Sequence, residues 1–317
     1  MISARSRASE MKIWSLTETW RKMAEAVNLT KELISGFEPQ RPEDGHKNTF
    51  GTALICAGSE YMSGAAVMAT GAALRTGAGL VRVFSEDKTL DAVRVAEPCA
   101  LLSLRPDETA DLLRKAKELC KSSSAVLIGS GIPEDQMDLE FLICRFLENA
   151  DNVVLDAGAL MSKSDAWGRI AECLKSRKVP AVLTPHIGEF ARLMRLPKSE
   201  VIEKAEDLAL GFAKDTNSVV VLKSARTLIA TPDGKLYVND APNSGLAKGG
   251  SGDVLAGLLT GFLAQGMEPY KAACSAVYIH SKAGKAAANE VGTRAMLPAD
   301  LIVYLPGAYM DAGWGHE

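Results

Sequence analysis

The chain has 317 residues, of which 36 are lysine or arginine and 39 are aspartate or glutamate, so its formal net charge is −3. This balance provides no basic surface for nucleic acid or for an anionic membrane, and we expect neither as a partner. The six cysteines are scattered without CxxC pairs, which argues against a disulfide framework or a zinc site. Because the sequence shows neither a membrane-length apolar run nor a secretory signal, we expect a cytoplasmic protein.

The first 45 residues differ in pattern from the rest of the chain. Residues 18–34 have an amphipathic helical pattern, and a turn-rich stretch follows at 37–42. We expect an arm that packs on the main domain or on a neighbouring subunit, with its first dozen residues disordered. The predicted boundaries are therefore 1–45 for the arm and 46–310 for a single domain.

From residue 52 onward, short apolar runs alternate with helical patterns. Strands are predicted at 52–57, 80–84, 125–128, 152–156, 181–184 and 218–223, and helices at 63–76, 107–121 and 138–149. Two more strands at 226–230 and 235–238 predict a hairpin at one edge of the sheet, and helices follow at 251–265, 269–290 and 298–305. Runs such as Val-Val-Val-Leu are apolar on both faces, as in parallel strands covered by helices on both sides. The pattern predicts a three-layer α/β/α sandwich with a mostly parallel sheet.

Ligands of such sheets bind beyond the carboxyl ends of the strands, where this chain is rich in glycine and polar residues. The sharpest segment is NSGLAKGGSGDVLAG at 243–257, a glycine-rich loop that leads directly into an apolar helix. Free N–H groups and the positive end of the helix dipole suit phosphate oxygens there, and glycine lets the backbone approach them. Asp253, in the first helical turn, can accept a proton from a hydroxyl that attacks phosphorus.

The loop alone leaves a simpler interpretation open. Two glycines also form an ordinary turn, and an acid such as Asp253 is common at a helix N-terminus. The order of residues also differs from that of a Walker loop. In either interpretation, the helix dipole and nearby N–H groups predict an ionised Asp253 with a low pKa.

The loop resembles the anion-hole motif of the ribokinase-like superfamily, and further segments narrow that resemblance. In chain order these are HKNTFG (46–51), CAGS (56–59), SGAA (63–66), IGSGIP (128–133), LDAGAL (155–160), LTPHIGEF (183–190) and PADLI (298–302). Together with the loop, they are similar to the ADP/ATP-dependent NAD(P)H-hydrate dehydratases, in the same order from about residue 45 to 306. The chain departs from the family pattern at Asn48, Ser130, Gly158 and Ile187. Because the first 45 residues are too few for the epimerase half of bifunctional relatives, we expect a stand-alone dehydratase domain.

The resemblance implies that ADP or ATP phosphorylates the ring hydroxyl of the S-epimer of NAD(P)H hydrate, after which phosphate leaves. Asp253 is then the base, and Gly250, Ser251 and Gly252 form the anion hole. The implied contacts to the hydrated dinucleotide are Gly64, Ala65, Gly131, His186 and Asp253. The implied contacts to the nucleotide are Lys223, Ser224, Ala225, Arg226, Thr227 and Gly252. The resemblance further implies Mg²⁺ near Glu189 by way of the phosphates, a homotetramer, and a separate NAD(P)H-hydrate epimerase as a functional partner.

Several of these residues have an alternative structural interpretation. His186 is equally explained as a helix cap or a core histidine, and Glu189 as an ordinary first-turn acid. Arg226 could be a solvated strand end, and Gly64 and Ala65 could serve helix packing. Asp156, at the end of a buried strand, is either a polar site residue or a cap.

Two other functions compete with the dehydratase. The first is a ribokinase-like kinase of a vitamin alcohol, which the loop alone does not exclude. The HKNTFG, PHIGEF and PADLI segments argue against it. The second is a non-catalytic nucleotide-binding module, and Asp253 argues against that, because binding alone needs no base beside the phosphate.

Overall fold

A single ten-stranded sheet runs through the computed structural model, which describes residues 26–161 and 166–315. Its strand order is β1-β10-β9-β8-β7-β6-β5-β2-β3-β4. In chain order the strands are β1 (Val27–Asn28), β2 (Thr52–Cys56), β3 (Leu80–Ser85), β4 (Leu101–Leu104), β5 (Ala125–Ile128), β6 (Asn152–Leu155), β7 (Ala181–Leu183), β8 (Ser218–Leu222), β9 (Arg226–Ala230) and β10 (Leu236–Asp240). Strand β9 pairs antiparallel with both of its neighbours, and every other pairing is parallel. The mostly parallel sheet predicted from the sequence is confirmed.

Helices cover both faces of the sheet. They are α1 (Lys31–Ser35), α2 (Ser63–Leu74), α3 (Asp87–Ala96), α4 (Thr109–Lys121), α5 (Leu139–Asn149), α6 (Trp167–Lys175), α7 (Ile187–Met194), α8 (Lys198–Glu203), α9 (Ala205–Thr216), α10 (Ser251–Ala264), α11 (Pro269–Val291) and α12 (Pro298–Ala312). Alternate strand residues face opposite layers because side chains alternate along a strand. Ile55 and Leu127 belong to one core cluster, with residues of α2, α10 and α11, whereas Leu54 and Val126 belong to another, with residues of α4, α5 and α9. The three-layer sandwich is therefore confirmed.

The N-terminal segment differs from its prediction. Of the helix predicted at 18–34, residues 18–25 lie outside the described part of the chain, and the described remainder is helical only in α1. Val27 and Asn28 form a parallel strand beside β10 instead. The Thr30 side chain then accepts from the Leu33 N–H and caps the short helix that begins at Lys31. Consequently β1, and not the β9–β10 hairpin, occupies that edge of the sheet.

The structure also differs from the prediction at the end of α12 and in several elements that were not predicted. Helix α12 continues to Ala312, whereas the sequence predicted an end at 305. Pro306 lies on the exposed side of the helix, where its ring and its missing N–H disturb least. Helices α3, α6, α7, α8 and α9 and strand β4 were not predicted. Strand β4 is a short edge strand whose leucines Leu101 and Leu104 are exposed. Within 26–161 and 166–315, no helix combines the length and hydropathy of a membrane span.

Candidate active site

Four neighbouring parallel strands end in polar residues that meet at one point. Ser130 lies just beyond β5, Asp156 beyond β6, Thr184 beyond β7 and Lys223 beyond β8. Asp156 is 2% exposed, and its Oδ2 accepts from the Ser130 hydroxyl at 2.8 Å. Its Oδ1 accepts from the Thr184 hydroxyl at 2.6 Å and from the Lys223 ammonium at 3.0 Å. The hydrogen bonds and the ion pair compensate the cost of burying this carboxylate.

The glycine-rich loop lies at the N-terminus of α10, close to this cluster. Gly250 precedes the helix with φ +104°, a conformation that favours glycine. The N–H groups of Gly252 and Asp253 make no hydrogen bond to any described residue. They are the free donors that a helix N-terminus offers to an anion. A Cβ placed on Gly252 would stand 3.3 Å from Lys223 Nζ, so this ammonium lies against the loop.

Asp253 has a strongly perturbed carboxyl group. Burial, and after it the negative charge of Asp156, raise its pKa to about 7, although Lys223 and the Ser130 hydroxyl lower it. The low pKa predicted from the helix dipole is therefore wrong. Near a helix N-terminus the dipole contributes about 0.3–1 kcal/mol, which burial beside a second carboxylate outweighs here.

A cavity of about 900 Å³ extends from Asp253 along the end of the sheet. Of the predicted site residues, it is lined by His186, Lys223, Ser224, Ala225, Thr227, Gly250, Ser251, Gly252 and Asp253. Arg226 does not line it, because its guanidinium turns to α9 and pairs with Glu206 at 2.8 Å. In the segment 223–227 after β8, the residues that face the cavity are therefore Lys223, Ser224, Ala225 and Thr227.

His186 caps helix α7 and also lines the cavity. Its Nδ1 accepts from the N–H groups of Gly188 and Glu189, at 2.9 Å and 3.2 Å. Burial lowers the pKa of the imidazole, and because Nδ1 is an acceptor, the neutral ring carries its proton on Nε2. The side chain is 54% exposed. The capping interpretation of His186 is thus correct, and the same side chain also lines the cavity.

Glu189 completes the capping box of α7. Its Oε2 accepts from the His186 backbone N–H at 2.8 Å, and its Oε1 lies 3.5 Å from His186 Nε2. Glu189 is buried and is not among the lining residues of the cavity. Within the described ranges, no group of three or more His, Cys, Asp or Glu side chains could hold a metal ion. These contacts do not fit Glu189 as a direct metal ligand.

Gly64, Ala65 and Gly131 form a separate group that does not line this cavity. Gly131 has φ +68°, and a Cβ on it would stand 2.5 Å from the Ala65 Cβ and 2.9 Å from the Met62 carbonyl oxygen. The first turn of α2 therefore rests on the loop after β5. Gly64 is exposed, and a Cβ there would meet nothing within 4 Å. Ser130, next to Gly131, connects this group to Asp156.

Two residues near the anion loop were not predicted. His280, on α11, is buried, and its Nε2 donates to the Ser251 carbonyl at 3.0 Å. Burial lowers its pKa to about 4, so the ring is neutral. Lys248 donates to the carbonyls of Arg294 and Met296 and joins the loop to the segment before α12. Neither contact has a local sequence signal, since the partners lie 29 to 48 positions apart.

Comparison with known proteins assigns the chain to a family. The family model for NAD(P)H-hydrate dehydratase matches residues 53–307, most of the chain. The chain belongs to the NAD(P)H-hydrate dehydratase family. The family resemblance seen in the sequence motifs is thereby confirmed.

Relatives within this family are of two lengths. The chain is 32% identical to the ADP-dependent (S)-NAD(P)H-hydrate dehydratase of Bacillus subtilis, over 87% of this chain and 95% of that protein. It is 36% identical to the one of Xanthomonas campestris, over 85% and 92%. A bifunctional NAD(P)H-hydrate repair enzyme of Moorella thermoacetica is 34% identical over 84% of this chain. The chain spans only 51% of that bifunctional protein.

Solved structures agree with the ribokinase-like fold. The ADP/ATP-dependent dehydratase of Bacillus subtilis, co-crystallised with ATP and Mg²⁺, matches with a TM-score of 0.78 and 32% identity, covering 91% of this chain and 99% of that one. A ribokinase-like superfamily protein of Enterococcus faecalis matches with a TM-score of 0.75 and 28% identity, covering 90% and 96%. The predicted ribokinase-like sandwich is confirmed.

Proposed function

We propose that the chain dehydrates the S-epimer of NAD(P)H hydrate to NAD(P)H, with ADP or ATP as the phosphoryl donor. The observation that carries the proposal is the position of Asp253. Its carboxyl group, with a pKa of about 7, lies in the helical turn that presents the free N–H groups of Gly252 and Asp253. A base poised near neutral pH beside an anion site suits phosphoryl transfer to a hydroxyl.

The reaction begins with attack of the substrate hydroxyl on the terminal phosphorus of the nucleotide. Asp253 takes the hydroxyl proton as the new P–O bond forms, and the bond from phosphorus to the bridging oxygen of the nucleotide breaks. The ring nitrogen then donates electrons, the bond from C6 to the phosphorylated oxygen breaks, and phosphate leaves. Loss of a proton from the adjacent carbon restores the ring double bond. Phosphorylation is needed because hydroxide is a poor leaving group.

The two substrates occupy opposite sides of Asp253 in this proposal. Lys223, Ser224, Ala225, Thr227 and the anion loop bind the nucleotide, since they line the cavity that begins at Asp253. The hydrated ring lies toward Gly64, Ala65 and Gly131, where a flat ring would meet open space over Gly64. The family resemblance places His186, which also lines the cavity, in contact with the dinucleotide. The proposed contact of Arg226 with the nucleotide would come from outside the cavity lining, where its guanidinium pairs with Glu206.

Magnesium enters this site with the nucleotide in our proposal. Mg²⁺ is commonly held by substrate phosphates with few protein ligands, and it would offset the phosphate charge during transfer. Glu189 supports that phosphate region indirectly, because it forms the capping box of α7 with His186 and so fixes the position of His186. We further propose a cytoplasmic homotetramer. An NAD(P)H-hydrate epimerase is its proposed functional partner, because related repair enzymes are bifunctional.

A direct test is to follow the absorbance of the reduced nicotinamide after S-NADH hydrate is mixed with the protein and Mg²⁺, with ADP, with ATP or without nucleotide. The proposal predicts recovery of absorbance only with a nucleotide, and recovery slowed about 10²- to 10⁴-fold in the Asp253→Asn variant. A vitamin-alcohol kinase would consume ATP on an alcohol and restore no absorbance. A pure binding module would do neither, and both of these results would reject the proposal.

A further inference from the structure

Asp156 connects the catalytic side of the site to the nucleotide side. Three donors from three neighbouring strand ends converge on its carboxylate, and both of its oxygens are occupied. Asp156 is only 2% exposed, so it offers little surface to a substrate, although it is one of the residues that line the cavity. The hydrogen-bonding pattern is that of a fixed internal charge and not that of a helix cap.

We propose that Asp156 is a positioning residue of the dehydration: it holds the Lys223 ammonium against the anion loop and keeps a negative charge behind Asp253. This inference rests on the proposed function and deepens it. Asp156 need touch neither substrate for this role, because it acts through Lys223 and Asp253.

The first half of the role concerns Lys223. Its ammonium is 3.0 Å from Asp156 Oδ1 and lies beside Gly252, where a nucleotide phosphate would bind. Burial lowers the pKa of Lys223, but the charges of Asp156, Glu189 and Asp253 outweigh burial, and the net shift is upward. The side chain is 21% exposed. Asp156 thus keeps a flexible lysine both protonated and directed at the loop before the nucleotide arrives, which reduces the ordering cost of binding.

The second half concerns Asp253. Burial is the largest cause of its raised pKa, and the charge of Asp156 is the next. A like charge disfavours ionisation of a neighbouring carboxyl group, so Asp156 makes Asp253 a stronger base once it is ionised. The base is thereby matched to neutral pH.

Other titratable or charged groups lie on the elements around the anion loop. They are Lys223 after β8, His186 and Glu189 at the start of α7, Lys248 before α10, His280 on α11 and Asp300 in the first turn of α12. Helix α2 has no titratable residue between Ser63 and Leu74. Among the causes of the Asp253 shift, Asp156 is the charge that raises the pKa and Lys223 is the charge that lowers it. Replacing Asp156 by a neutral residue therefore removes the charge that raises the pKa of Asp253.

The test compares Asp156→Asn with Thr184→Val in full-length protein. Asn keeps the size of the side chain and removes its charge, whereas Val removes one donor to Asp156 and leaves the charge in place. The carboxyl ¹³C resonances of labelled aspartate are titrated, with Asp253 assigned by the loss of its signal in Asp253→Asn. We expect the pKa of Asp253 to fall by about half a unit or more in Asp156→Asn, and to move much less in Thr184→Val. Asp156→Ser, equally neutral and smaller, replaces Asp156→Asn if that variant does not fold.

Kinetics provide the second readout. In Asp156→Asn, the acidic limb of the pH profile of kcat/KM should move to lower pH, and the KM for nucleotide should rise about 3- to 10-fold. An unchanged pKa of Asp253, or equal shifts in the two variants, would overturn the inference. If the wild-type protein titrates as expected but restores no NADH, the proposed function fails, whereas the placement of Asp156 behind Asp253 stands.

Discussion

Asp253 should impose a pH dependence on activity with its midpoint near pH 7. Only the ionised carboxylate can accept the substrate proton, and burial beside Asp156 raises its pKa to about 7. Below this value kcat/KM should fall about tenfold per pH unit. The Asp253→Asn variant should lose about 10²- to 10⁴-fold in kcat at pH 8, the usual contribution of a general base. Near-normal turnover by this variant, with intact nucleotide binding, would remove Asp253 from the mechanism.

The same carboxyl group should make stability fall as pH rises, whereas it makes activity rise. In the folded protein its pKa lies above the unfolded value of 3.8, so the folded state binds more protons between about pH 4 and 7. Its contribution to stability is therefore lost as pH rises through this window. At pH 8, Asp253→Asn should be more stable than wild type by about 1 to 3 kcal/mol, after allowance for partial exposure. Denaturant unfolding of both proteins at pH 5 and pH 8 measures this difference.

His186 carries two roles that substitution can separate. Asn still caps a helix, but it lacks the imidazole ring that lines the cavity. His186→Asn should keep the melting temperature and raise the KM for the hydrated dinucleotide about 3- to 10-fold, as for the loss of one hydrogen bond. His186→Ala should show the same KM and also lose about 1 kcal/mol of stability. Unchanged KM values in both variants would leave His186 as a cap alone.

The loop before α10 tests the anion site itself. A side chain on Gly252 would project toward the Lys223 ammonium and fill the space at the free N–H groups. Gly252→Val should therefore lower turnover by at least about 100-fold and weaken nucleotide binding, with little change in melting temperature. Gly307→Val, in open space on α12, is the matched control for adding valine to a helix. Wild-type nucleotide affinity in Gly252→Val would exclude this loop as the phosphate site.

The central strands and most of the long helices could be predicted, because their apolar residues form the short runs of buried strands or recur with the period of a helix. Strand β5 is predicted with the bounds that the structure has, and most others within one or two residues. The loop at 249–253 could be found because it combines glycines, a helix start and an acid in five positions. The pKa of Asp253 could not be predicted, since it depends on Asp156, 97 positions away, which only the folded sheet brings near. The same reason applies to His280.

Residues 26–38 are tied to the opposite end of the chain. The Trp314 indole N–H donates to the Ile34 carbonyl at 2.8 Å, and its ring stacks on Tyr309 and meets Phe262 edge-on. Trp314→Phe should keep most ring contacts and cost about 1 kcal/mol through the lost hydrogen bond. Trp314→Ala should cost about 3 to 5 kcal/mol. Denaturant unfolding measures both losses, and equal stabilities of all three proteins would show that this contact does not anchor the segment. The predicted boundary at residue 45 stays a prediction.

The coupling of phosphoryl transfer to dehydration is the central claim. Its most direct test is a single-turnover experiment with S-NADH hydrate, Mg²⁺ and ATP labelled in the γ-phosphate, quenched at intervals. The proposed chemistry predicts one inorganic phosphate for each NADH restored, a phosphorylated intermediate that precedes both, and no NADH when nucleotide is omitted. NADH formed without nucleotide, or phosphate released without NADH, would contradict it.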